Sequence, residues 1–121
     1  MRPLVVFAPS DVTTPEPPQL RSRRRDEVPD HFKWNLADIF PNWEAWEAAY
    51  KELEAGIARY AALKGTLAGG AERLLTAFRL SEELGQLAYR VWYYPSLQYD
   101  EDQRDNTVSA KRQQVDRKSV V

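Results

Sequence analysis

From Trp43 onward the apolar residues of this chain keep a helical period. Trp43, Trp46, Tyr50, Leu53, Ile57 and Tyr60 recur at spacings of three and four, while Glu47, Lys51, Glu54 and Arg59 fall on the opposite face. The pattern predicts a first helix over about 43–64. Asn42, just after Pro41, is placed to cap it, and Glu44 and Glu47 put negative charge in the first turn, where the macrodipole favours it. Gly65 after Lys64 is the expected stop. Glu47 and Lys51 stand one turn apart as a favourable pair. Gly56 costs about 1 kcal/mol relative to alanine and marks a point where another helix can come close. At roughly 1.5 Å per residue this helix is about 33 Å long, too long to persist in water without a partner along its stripe.

Thr66 to Gly70 is short enough to fold a second helix, about 71–94, back antiparallel on the first. Leu74, Leu75, Phe78, Leu84, Leu87, Ala88 and Val91 are the expected buried face, with Arg79 and Glu83 on the wet side. Further on the helix turns aromatic on several sides at once, at Tyr89, Trp92, Tyr93 and Tyr94, which is more than one helical partner can bury. Pro95 removes a helical hydrogen bond and is expected to kink or end the helix near Tyr94. Asp102 or Asp105 is placed to cap a third helix, about 103–118. Val108, Ala110 and Val115 are nearly its only apolar residues, so it must lean on something else. The expected fold is all-α: a long antiparallel helical hairpin followed by a third, partly complete helix.

The stretch before Trp43 reads differently. Five of the eight prolines stand at positions 3, 9, 15, 17 and 18, and residues 1–27 are read as a disordered Pro/Arg-rich leader. Arg21-Ser22-Arg23-Arg24-Arg25 is the one dense basic cluster. Beside Asp26-Glu27 and without interleaved aromatics, it reads as a solvated linker in preference to a phosphate-binding patch. Lys33 to Trp46 then carries three of the four tryptophans and forms an aromatic entry to the first helix.

Charge and composition narrow the functional classes. The net charge is −1 with 29% charged residues, which argues against nucleic acid or an anionic membrane as partner. There is no cysteine, hence no disulfide or thiolate chemistry. No apolar run approaches the roughly 20 residues of a membrane span, and Leu4 to Ala8 is too short for the apolar part of a secretory signal. A cytoplasmic location is expected.

Candidate chemistry is sparse. His31 is the only histidine, so no His-Glu-x-x-His zinc motif exists. Ser81 and Ser109 have no base nearby in sequence, and Gly69-Gly70 lacks the lysine and hydroxyl residue of a phosphate loop. Asp100-Glu101-Asp102 reads as a helix-start turn in preference to a metal or acid–base cluster. No catalytic, cofactor-binding or metal-ligating residue is expected in this chain.

One set of residues resembles a known family. Arg25-Asp26-Glu27-Val28-Pro29, then Phe32-Lys33-Trp34-Asn35-Leu36-Ala37-Asp38-Ile39-Phe40-Pro41 and Trp43-Glu44-Ala45-Trp46, is similar to the start of oligoendopeptidase F-type zinc metallopeptidases. Lys64-Gly65-Thr66-Leu67 and Tyr99-Asp100-Glu101-Asp102 extend the likeness over about residues 25–116. The resemblance implies that residues 28–121 are an incomplete N-terminal helical region that helps wall a substrate channel. In the parent family zinc and its ligands lie far downstream, so no catalytic or metal residue carries over, and the chain reads as a fragment that is inactive alone. The implied partner is the remainder of the peptidase, its catalytic domain, or another helical protein. Oligopeptides would be substrates only in the full-length enzyme. Pro95 and the end soon after Lys118 depart from the family pattern. The alternative is a small non-enzymatic helical module that docks protein through the aromatic end of helix two.

Overall fold

A computed structural model describes residues 23–118; residues 1–22, most of the expected leader, lie outside the described residues. Three α-helices carry the fold: α1 (Trp43–Ala61), α2 (Ala71–Glu101) and α3 (Asn106–Lys118). Short 3-10 turns precede α1, and another, Leu67–Gly69, leads into α2. No strand occurs among the described residues, so the chain is all-α as expected.

Cross-helix contacts give the directions. Trp46 meets Val91, while Gly56 meets Leu84, so α1 and α2 are antiparallel. Trp92 meets Asp116 and Tyr99 meets Arg112, so α3 runs back along α2. Two ion pairs tie α3 to α1 in parallel, Lys111 Nζ to Glu47 Oε1 at 2.6 Å and Lys118 Nζ to Glu54 Oε1 at 2.9 Å. Glu47 thus pairs across helices with Lys111, and the expected partner Lys51 adds only a smaller favourable charge. Lys111 Nζ also lies 5.0 Å from the Trp43 ring centre and 5.1 Å from that of Trp46.

The core sits where the three helices overlap. Phe40, Trp46, Ala49, Tyr50, Leu53, Val91, Tyr94 and Val115 are buried together. Edge-on aromatic pairs organise it, with ring centres 5.5 Å apart for Phe40–Tyr94 and 4.9 Å for Trp43–Tyr94. Asn42 caps α1 as expected, its Oδ1 accepting from the Ala45 N–H at 2.9 Å. Asp105 caps α3, its Oδ1 accepting from the N–H groups of Thr107 (2.8 Å) and Val108 (3.2 Å).

The structure corrects several boundaries and faces. α1 ends at Ala61, not Lys64, because the Leu63 and Lys64 N–H groups reach back only three residues, to Tyr60 and Ala61. Gly65 follows at φ 82°, the left-handed turn that glycine tolerates. α3 starts at Asn106, not 103, since its cap is Asp105, and its Ala110 is exposed.

Of the expected kink or end at Pro95 the end is overturned: α2 is one long, bent helix that runs past Pro95 to Glu101. A proline at 95 leaves the Val91 carbonyl without its usual i+4 donor. The buried Trp46 indole fills that gap, its Nε1–H donating to Val91 O at 2.8 Å. The helix therefore passes the proline with no carbonyl orphaned at that point, and Pro95 is itself fully buried.

Leu74, Leu75 and Phe78 are not part of the core; they are 42%, 42% and 64% exposed. Ile57 and Tyr60 of the α1 stripe are likewise exposed. α3, described as far as Lys118, overlies the other half of the hairpin, and these side chains have no cover among the described residues.

Candidate functional site

The residues singled out as candidate chemistry are structural or solvated. His31 is exposed and lies against Phe32, ring centres 4.0 Å apart. Asp102 is salt-bridged to Arg104 at 2.9 Å, which holds its carboxyl below the usual range. Glu101 accepts from the Trp34 N–H at 3.2 Å and pairs with Arg25. Among the described residues no group of three or more His, Cys, Asp or Glu could hold a metal ion. With a single histidine and no cysteine, the residues present do not fit zinc.

What the structure does build is a strap and two apolar surfaces. The strap is the stretch before α1. Arg25 and the Trp34 N–H share Glu101 at the end of α2, and Arg90 Nη2 donates to Ile39 O at 2.8 Å while its guanidinium sits 4.8 Å from the Phe40 ring centre. Of the basic cluster, Arg24 pairs locally with Asp26, whereas Arg25 belongs to this strap. Trp34 itself is 55% exposed, so the strap is held at that point by its main chain and not by the indole.

The first apolar surface is the aromatic end of α2. Tyr89 stacks on Tyr93 at 6.0 Å and Trp92 meets Tyr93 edge-on at 5.0 Å. Trp92 is held by Asp116, whereas Tyr89 (66%) and Tyr93 (44%) face outward, in line with the surplus of aromatics in the sequence. The second surface is a groove beside the last turn of α3, with Leu53 and Ile57 on one wall, Ser81, Leu84 and Gly85 on the other, and Val115 and Lys118 of α3 at its edge. The sequence signal for this groove was Gly85, a second glycine inside a helix. Two polar atoms, Ser96 Oγ and Arg112 Nε, are buried without a hydrogen-bond partner, and neither lines these surfaces.

Comparison with known proteins gives a consistent set of relatives. Oligopeptidase PepF of Bacillus subtilis (strain 168) is 31% identical over 78 residues, 64% of this chain and 12% of the relative. The chromosomal oligoendopeptidase F of Lactococcus lactis subsp. cremoris is 28% identical over 84 residues, 69% of this chain and 14% of the relative. The plasmid oligoendopeptidase F of the same organism is 26% identical over 85 residues, again 69% and 14%. The chain therefore spans only 12% to 14% of the length of these curated relatives. No protein-family model matches the chain, and no solved structure matches it.

Proposed function

Because this chain is homologous to part of oligoendopeptidase F, we propose that it is a helical wall element of an oligopeptide-cleaving metallopeptidase. On this reading residues 28–121 are its N-terminal helical region. They shape the substrate channel and limit it to short peptides, while hydrolysis belongs to a zinc-holding catalytic domain that these 121 residues do not contain. The chain alone is then inactive, and its partner is the rest of the peptidase in the cytoplasm. The observation that carries the reading is the 31% identity to Bacillus subtilis PepF over 78 residues. The strap supports it: the motif residues from Arg25 to Trp46 are the ones that lie against α2 through Glu101, Arg90 and Tyr94.

The test replaces the matching stretch of Bacillus subtilis PepF with residues 28–118 and assays internally quenched peptides of graded length. The expected result is a folded chimaera that still cleaves peptides but with a changed length preference, while the purified chain shows no turnover with or without zinc. Turnover by the chain alone, or a folded chimaera that cleaves no peptide, would overturn the reading.

A second reading, a free-standing interaction module, rests on the closed core around Trp46 and Val91. It requires a monomer that unfolds cooperatively and resists proteolysis from about residue 30. Loose, protease-sensitive helices would eliminate it.

A further inference from the structure

The apolar stripe of α2 continues past the part that the described residues of α3 cover. Leu74, Phe78, Ser81, Gly85, Ala88 and Trp92 follow one another at alternating spacings of four and three, which in an α-helix is one face. At its C-terminal end this face is partly buried, since Trp92 donates to Asp116 and both Ala88 and Trp92 pack against the core. At its N-terminal end it is bare. Residues 71–83 of α2, roughly 20 Å of helix, carry Leu74 and Phe78 exposed, and Ile57 and Tyr60 of α1 are exposed as well.

Gly85 adds an independent observation. A Cβ at Gly56 would lie 2.2 Å from Leu84 Cδ2, so that glycine makes room for an internal neighbour. A Cβ at Gly85 would meet nothing within 4 Å. A glycine inside a helix is disfavoured relative to alanine, and no neighbour among the described residues accounts for this one. A groove floor without a side chain is where a further helix can approach most closely.

We propose that this groove is a docking site for an amphipathic helix from polypeptide outside these 121 residues. The helix lies antiparallel to α2, in line with α3, and its apolar residues keep step with Val108 and Val115. The occupant follows from continuity with the α2–α3 interface, because Leu53, Leu84 and Ala88, which pack in the core with Val115, also wall the groove. The direction follows from α3, which the two α1–α3 ion pairs, repeating after seven residues on each helix, hold parallel to α1 and whose last turn, Val115 and Lys118, edges the groove. Nothing in this inference depends on the peptidase reading.

The test extends the full chain beyond Val121 with about 14 helical residues, enough to cover about 20 Å, apolar in step with Val115. The extension is expected to raise the thermal midpoint by about 5 °C or more and to slow amide exchange of Arg73 to Leu84. Phe78→Glu should cancel that gain while leaving the unextended chain's midpoint nearly unchanged. Gly85→Ala should raise the midpoint of the unextended chain yet reduce the gain from the extension. Three results would overturn the proposal: no gain, an equal gain from an extension with polar residues at the apolar positions, or exchange protection of Arg73 to Leu84 that grows with concentration in the unextended chain. The last would assign the groove to a second copy.

Discussion

The two ends of the helical hairpin solve the same problem differently. At the Pro95 end α1, α2, α3 and the strap converge, and even a helix-breaking residue is absorbed, because the Trp46 indole donates to the carbonyl that proline cannot serve. At the loop end α1 and α2 lie side by side with nothing over them among the described residues, and Leu74, Leu75 and Phe78 face outward. Helical pattern alone does not separate these ends, since both carry apolar residues at helical spacing. What separates them, among the described residues, is the cover that α3 and the strap give to one end and not to the other.

The largest expected effects lie at the closed end. Trp46→Ala should cost about 3–5 kcal/mol, enough to leave a chain this small little or no cooperative transition in circular dichroism. Trp46→Phe keeps a ring and removes the donor, so it should cost about 1–3 kcal/mol by leaving Val91 O unpaired. In a Pro95→Ala background that second loss should shrink by about 1 kcal/mol or more, because the backbone N–H restored at position 95 then serves Val91 O. Denaturant titration of the four proteins reads the coupling, and additive effects would show that the two residues are independent.

Next come the paired glycines. Gly56→Ala must displace Leu84 and should destabilise by about 1 kcal/mol even after its helix-propensity gain. Gly85→Ala meets open space and should stabilise by about 0.5–1 kcal/mol. Changes of the same sign in urea melts would erase the contrast between the two helix faces.

The α1–α3 ion pairs predict a pH window. Lys111, by hydrogen bond first and by charge second, holds the Glu47 carboxyl below its usual value. Its contribution is present above the unfolded-state pKa and is lost as pH falls through the folded one. Glu54 holds Lys118 above its usual value, so that contribution is present below the unfolded-state pKa and is lost as pH rises through the folded one. α3 should therefore loosen in acid, below the usual glutamate range, and again in strong alkali, above the usual lysine range, as followed by amide chemical shifts of Val108 and Val115. Both pairs are exposed enough for salt to weaken them. The smallest effect is expected at the open end: Leu75→Gln should change stability by no more than about 0.5 kcal/mol in the same melts.

Much of this was legible in the residues. The periodic stripe, the Asn42 cap, the short connection and the acidic cap of α3 each rest on local chemistry, and each is present. The misjudged parts are tertiary. Pro95 breaks a helix unless a donor arrives from elsewhere, and that donor stands 45 residues away. Leu74 and Phe78 look like core by spacing, but spacing does not state how far a partner helix reaches. For the functional reading, the resemblance from Arg25 to Trp46 named the family to which the curated relatives belong. The groove at Gly85 is not legible in the sequence, because its walls come from three helices and only their assembly opens it.

The most direct test of the contrast between the two ends is residue-resolved hydrogen exchange along α2 at neutral pH. Strong protection is predicted from about Ala88 to Gln98, including the residues around Pro95, with exchange orders of magnitude faster from Arg73 to Leu84. Uniform protection along α2, or a minimum of protection at Pro95, would contradict it.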